Sequence, residues 1–128
     1  MIFCCCVDVI FFSKAQYFIN LDTVGSKTSS DNLYNKALFT DSLASSFCII
    51  IKKEVRAHKH LNHTEHVFVL EGKALMKIAD RTVEIKKGDM IFIPKNTVHS
   101  VTTISKEPLK VLSWQAPFFD GKDRYFVD

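Results

Sequence analysis

Four of the five histidines in this chain of 128 residues fall between positions 58 and 66. Within this cluster, His58 and His60 are two residues apart, and on an extended strand such residues point to the same face. Glu65 follows a short polar turn, so an antiparallel return would bring its carboxylate beside the two imidazoles. Two neutral imidazoles and a carboxylate form a good ligand set for a divalent first-row transition metal.

A fourth ligand of such a site would have to come from a distant strand. His99 is the only histidine outside the cluster, and it follows directly after a turn over residues 94–98. The residue types and their spacing therefore make His99 the candidate for the remaining position.

The composition limits the classes of protein to which the chain can belong. Apolar residues make up 47% and charged residues 24%, which excludes a disordered tail, a collagen-like fibre and a multi-span membrane protein. The net charge of +3 is spread along the chain without a basic cluster, so we expect no nucleic-acid partner. Three of the four cysteines are consecutive, which is not the spacing of a disulfide framework or a zinc knuckle. Cys48 is predicted to be a small buried hydrophobic residue.

The elements that must position the candidate ligands read as short strands. The apolar runs are rich in Val, Ile and Phe, several alternate with polar residues, and turn residues separate them. The predicted strands cover residues 47–52, 67–70, 74–78, 82–85, 90–93, 100–104 and 109–114. No helical period of ten or more residues follows residue 45, so we predict one all-β sandwich or barrel over residues 36–117.

The N-terminal third has a different character. Residues 1–12 are apolar apart from Asp8, too short to span a bilayer, and followed by a possible signal-peptide cleavage site at 13–15. A basic n-region is missing, so a strand or arm packed on the domain, or an extension from a misplaced start codon, are alternatives. Residues 20–35 read as a polar arm. We therefore divide the chain into residues 1–35, 36–117 and a C-terminal tail, 118–128. The compartment is expected to be cytoplasmic, or periplasmic or secreted if residues 1–15 are a signal remnant.

Two stretches of the sequence follow known motifs. The first reads His58-x-His60-x4-Glu65-x6-Gly72, and the second reads Gly88-x5-Pro94-x-Asn96-x2-His99-x3-Thr103. Both resemble the motifs of a small single-domain cupin, a double-stranded β-helix with an RmlC-like jelly roll. Three positions depart from the family pattern: Lys52 and Asn96 replace glycines, and Thr103 replaces an asparagine. Asn tolerates the left-handed conformation better than other non-glycine residues, so the change at position 96 is mild.

The resemblance implies a jelly-roll barrel with an N-terminal extension and a bound divalent metal such as Fe, Mn, Ni or Zn. The implied ligands are His58, His60, Glu65 and His99. It also implies a small-molecule ligand or substrate and a possible homodimer. No transmembrane segment is expected, because the apolar stretch at residues 1–12 is too short to span a bilayer. A metal-dependent enzyme, dioxygenase-like or alternatively an isomerase or decarboxylase, is one possibility. A non-catalytic sugar-binding, small-ligand or sensing protein is the second, and a scaffold without metal is the third, because a fold does not determine function.

The remaining residues near the motifs have simpler interpretations. His63 lies in the polar turn and His66 faces away from Glu65, so both are expected to be structural or on the surface. Glu54 and Arg56 share the predicted strand face of His58 and could enter the pocket, unless a loop before His58 interrupts the alternation of side chains along the strand. Three aromatic residues are expected to pack in the barrel or to line the cavity wall: Phe68, Phe92 and Trp114.

Overall fold

The computed structural model describes residues 17–128, so the apolar segment and the possible cleavage site at residues 1–15 lie outside the described residues. A short 3-10 helix, Leu21–Thr23, precedes ten strands. These are β1 (Leu33–Thr40), β2 (Ser45–Ile51), β3 (Glu54–Lys59), β4 (Thr64–Glu71), β5 (Lys73–Ile78), β6 (Arg81–Lys86), β7 (Met90–Ile93), β8 (His99–Thr103), β9 (Leu109–Ala116) and β10 (Tyr125–Phe126).

The strands form two five-stranded sheets in which neighbouring strands run antiparallel. The order is β1-β2-β9-β4-β7 in the first sheet and β10-β3-β8-β5-β6 in the second. Buried and more exposed residues alternate along β4 and β5, as expected when only one face of a sheet meets the core. Aliphatic residues of both sheets, among them Val67, Val111, Met76 and Val101, form one buried cluster. Within residues 17–128, no helix is long and apolar enough to cross a membrane.

The all-β prediction is confirmed, and the seven predicted strands correspond to β2 and β4–β9. Strand β1 was not predicted, and its first three residues fall in the predicted polar arm. It is an edge strand, and most of its side chains are exposed. Asn96 adopts a left-handed φ of 55°, the conformation that the family's glycine would take at this turn. Cys48 is fully buried, as predicted.

The residues that flank the barrel pack against it. At the C-terminal end, β10 pairs with β3, and the amide of Val127 donates a hydrogen bond to the carbonyl of Ala57. At the N-terminal end, Nζ of Lys110 donates a 2.6 Å hydrogen bond to the carbonyl of Leu21, and Val24 is buried. The division of the chain at residues 35 and 117 stays a prediction.

The outer face of the first sheet is rich in apolar side chains. In β4, burial alternates along the strand: Glu65 and Val67 are buried, whereas His66 and Phe68 are partly exposed. His66 packs against Phe92, a cross-strand neighbour in β7, with 4.9 Å between ring centroids. Phe92 is 54% exposed and Trp114, the neighbour of His66 in β9, is 37% exposed. Thus these aromatic residues face outward and do not line the cavity.

Candidate metal centre

Two of the predicted site residues are direct cross-strand partners in the second sheet. His58 in β3 pairs with His99 in β8, and their ring centroids are 4.2 Å apart. His60 lies just after the end of β3, with its ring 5.2 Å from that of His58 and 5.3 Å from that of His99. One nitrogen of each imidazole lies within 4.8 Å of the others, and all three residues are buried. The three side chains could therefore hold one metal ion.

Glu65 approaches the histidines from the opposite sheet. Its Oε2 lies 3.4 Å from Nε2 of His60 and 3.3 Å from Nε2 of His99. Its Oε1 accepts a 2.5 Å hydrogen bond from the hydroxyl of Ser113 in β9. The structure therefore brings the four predicted residues together between the two sheets, while their role as ligands stays a prediction.

Each of the three imidazoles is oriented by a backbone carbonyl. Nδ1 of His58 lies 2.8 Å from the carbonyl oxygen of Arg56. Nδ1 of His60 lies 2.5 Å from the carbonyl oxygen of Asp123, and Nδ1 of His99 lies 3.0 Å from that of Thr97. Since a carbonyl only accepts hydrogen bonds, each Nδ1 must carry the proton. The other ring nitrogen, Nε2, then presents a lone pair, which is the tautomer that binds a metal through Nε2.

Two of the inward-facing nitrogens make no hydrogen bond within the described part of the chain. Nε2 of His60 and Nε2 of His99 are buried and have no hydrogen-bond partner among residues 17–128, although Oε2 of Glu65 lies 3.4 and 3.3 Å away. Buried polar atoms are almost always satisfied, so such a pair requires an explanation. A divalent cation would satisfy both nitrogens and the Glu65 carboxylate together, and the donor set therefore fits a transition metal.

The electrostatics of the site favour a neutral His58 and an ionised Glu65. Burial, together with the neighbouring His99, lowers the pKa of His58 from 6.5 to about 4. Burial alone would raise the pKa of Glu65, but contacts with His60, His99 and Ser113 hold it far below its usual range. For His60, burial is outweighed by Glu65 and the Asp123 carbonyl, which raise its pKa. The carboxylate is thus available as a ligand at neutral pH, whereas protons compete for His60.

A bulge in β3 decides which side chains of that strand enter the cavity. The register against β8 shifts between Val55 and His58, so the simple alternation predicted from the sequence is broken. As a result Val55 lines the cavity, and Glu54 and Arg56 are exposed. Arg56 instead stacks over the ring of Phe126, 4.6 Å from its centroid.

The C-terminal segment, residues 118–128, supplies a part of the site that the motifs do not contain. The carboxylate of Asp123 accepts hydrogen bonds from the amides of Leu61 and Asn62 at 2.9 and 2.8 Å, and it also contacts Nδ1 of His63. The carbonyl of Asp123 orients His60. His63 is therefore structural, one of the roles predicted for it, while the only sequence signal for Asp123 is the turn at Gly121.

The four residues lie at one side of a cavity that is otherwise mostly aliphatic. The cavity has a volume of about 70 Å³ and is partly open to solvent. Apart from His58, His60, Glu65 and His99, the polar residues that line it are Asn35, Ser100 and Arg124. Asn35 and Leu33 come from β1, so residues that the sequence placed in the N-terminal arm contribute to the cavity wall.

Comparison with known proteins agrees with this architecture. An uncharacterized protein of Methanocaldococcus jannaschii is 39% identical over 71 residues, which are 56% of this chain and 57% of the relative. A quercetin 2,3-dioxygenase of Bacillus subtilis is 40% identical over 43 residues, 34% of this chain and 13% of that enzyme. The chain thus matches just over half the length of the first relative and a small part of the second.

The fold is shared with solved structures. An uncharacterized conserved protein from Klebsiella pneumoniae with a double-stranded β-helix domain superposes with a TM-score of 0.76 at 16% identity, covering 89% of this chain and 99% of that one. The family model described as "Cupin domain" matches residues 47–115, which include both motifs and all four candidate ligands. The chain belongs to the cupin family.

Proposed function

We propose that this cupin binds a divalent transition metal through His58, His60, Glu65 and His99, and that it is a metal-dependent enzyme acting on a small organic molecule. The observation that carries the proposal is the common orientation of the three imidazoles. Each places Nδ1 against a backbone carbonyl, and this fixes the tautomer in which Nε2 can bind a metal.

Three imidazoles and one carboxylate would leave one or two positions of a five- or six-coordinate ion open to the cavity. A bound ion with open positions supplies a Lewis acid or a site for oxygen activation. Within the described residues, the cavity wall excludes water from one side of the site because aliphatic residues such as Ile51, Val67 and Met76 form it. The partial likeness to a dioxygenase favours oxygen chemistry.

The proposed metal site is tested by metal analysis of protein purified without chelator. Wild-type protein should contain about one equivalent of Fe, Mn, Ni or Zn, and His58→Ala and His99→Ala should lose it. His66→Ala is the matched control, since His66 lies on the outer face of the first sheet and should retain the metal. Wild-type protein that acquires no metal would refute the proposal.

A non-catalytic ligand-binding or sensing cupin is the second candidate. It is favoured by the cavity wall, because the described polar groups beyond the four predicted ligands are Asn35, Ser100 and Arg124, none of which is a customary proton donor at neutral pH. Oxygen uptake and product formation with thiols, diketones, phenols and organic acids distinguish the two. Turnover of any substrate supports the enzyme, whereas tight binding without turnover supports the sensor.

We also propose that the chain forms a homodimer, as cupins commonly do. Exposed apolar side chains on the outer face of the first sheet, Met90, Phe92 and Trp114, support a contact with a second copy. Light scattering at several protein concentrations should give twice the monomer mass, and Phe92→Lys should give the monomer mass. A monomer at every wild-type concentration would contradict this proposal.

A further inference from the structure

Arg124 lies beside the cavity, and the residues before and after it are fixed to the rest of the barrel. The preceding residue, Asp123, is fixed by hydrogen bonds to the turn at residues 61–63. The following residues, Tyr125 and Phe126, pair with Lys59 and His58 in β3. Arg124 lines the same cavity as the three histidines and its Nε is buried, so its place in the site is set by the fold.

The guanidinium of Arg124 has no counter-charge in the described part of the chain. Its Nε is buried without a hydrogen-bond partner, and none of the ion pairs among residues 17–128 involves it. Glu65, the carboxylate in this cavity, is already engaged by Ser113 and the histidines. Arg124 as a whole is only partly buried, but its Nε is shielded from water, and a charge in such a place is usually compensated by a group of opposite charge.

The remainder of the cavity determines what kind of anion would fit. Its other lining residues are almost all aliphatic, and Ile51, Met76, Ile93, Val101 and Val111 form much of the wall. Such a surface favours an apolar group and disfavours a fully hydrated anion such as phosphate. The planar fork of a guanidinium matches a carboxylate, which can accept two parallel hydrogen bonds.

From these observations we infer that Arg124 forms the anion-binding part of the cavity, and that the ligand is a small carboxylic acid with an apolar body. The inference deepens the proposed function, on which it rests, by naming the substrate class. Arg124 would bind the carboxylate, and the aliphatic wall would bind the hydrocarbon part. A ligand held at both points would present its remaining groups to the histidines.

The test is calorimetric titration with 3-methylbutanoate, using the uncharged 3-methylbutanamide and inorganic phosphate as comparison probes. Titrations are carried out on Co²⁺-loaded protein and on metal-free protein in EDTA. The carboxylate should bind more tightly than the amide, and Arg124→Gln should weaken its binding by roughly tenfold to a hundredfold, the usual loss for a charged hydrogen bond. Arg124→Lys should recover part of the affinity, because it restores the charge but not the planar fork.

Arg81→Gln is the matched control, since Arg81 is an exposed arginine at the start of β6 and does not line the cavity. It should bind 3-methylbutanoate as the wild type does. The inference is overturned if Arg124→Gln binds the carboxylate as tightly as the wild type in both protein forms, or if phosphate or the amide binds at least as well. Metal content, measured separately on the same preparations, reports on the proposed metal site independently: Arg124-dependent binding in the metal-free form would support the anion site even if the wild type held no metal.

Discussion

The hydroxyl of Ser113 in β9 donates a 2.5 Å hydrogen bond to Oε1 of Glu65 in β4, within the buried space between the two sheets. This contact leaves Oε2 of Glu65 directed toward His60 and His99. Ser113 thus fixes which oxygen of the Glu65 carboxylate faces the predicted metal. Residues that orient ligands in this way commonly affect metal affinity although they do not touch the metal.

We therefore expect Ser113→Ala to weaken metal binding by about tenfold without abolishing it, because Glu65 stays in place but loses its orienting hydrogen bond. Competition titration against a chelator measures the change. Ser46→Ala is the control: Ser46 is also buried, but its hydroxyl bonds the backbone of Phe39 in the first sheet. That variant should lose stability and keep the metal affinity of the wild type; equal affinity losses in both variants would contradict the orienting role.

Replacement of Glu65 by Gln should have a larger effect on metal binding. The substitution removes the only anionic group in the predicted ligand set, and an amide is a poorer ligand for a divalent ion. We expect the affinity in the same competition titration to fall well below that of Ser113→Ala. Unchanged affinity would show that the three histidines hold the metal without Glu65.

Much of the site was predictable because its residues are close in sequence or follow a strong motif. His58, His60 and Glu65 fall within eight positions of one another, and Gly88 and Asn96 fix the turns that lead to His99. The central strands were predictable because apolar residues recur on one face. In contrast, β1 is an edge strand with a mostly exposed surface, which leaves little hydrophobic pattern to detect.

The contribution of the C-terminal segment could not be predicted, because it depends on a contact between residues about sixty positions apart. Asp123 reaches His60 through its backbone carbonyl, a group that every residue carries and that leaves no sequence signal. The bulge between Val55 and His58 is a second example. It reverses the parity of β3, so the strand face that includes Glu54 and Arg56 could not be assigned from alternation alone.

The position of Asp123 gives a test of how far this segment supports the site. Asp123→Ala removes the acceptor for Leu61, Asn62 and His63, and we expect it to cost about 1 to 3 kcal/mol of unfolding free energy. It should also lower metal affinity, because the turn that carries His60 loses its attachment. Asp120→Ala, in the same segment, is the control, since Asp120 is about half exposed and its carboxylate contacts Lys122, through the amide and the ammonium group of that residue. Chemical denaturation and chelator competition would show no difference between the two variants if the segment were not part of the site.

The lowered pKa of His58 predicts how the stability of the metal-free protein changes with pH. Because the folded pKa, about 4, lies below the unfolded value of 6.5, the unfolded chain binds more protons between these limits. The unfolding free energy that neutral His58 contributes is therefore complete above pH 6.5 and is lost as the pH falls toward 4. The total loss is about 3 kcal/mol. His60, with its raised pKa, acts with the opposite sign, so His58 must be isolated by substitution. In EDTA, the unfolding free energy of the wild type should fall more steeply than that of His58→Gln between pH 7 and pH 4.5. Parallel curves for the two proteins in urea denaturation would mean that His58 titrates alike in the folded and unfolded chains.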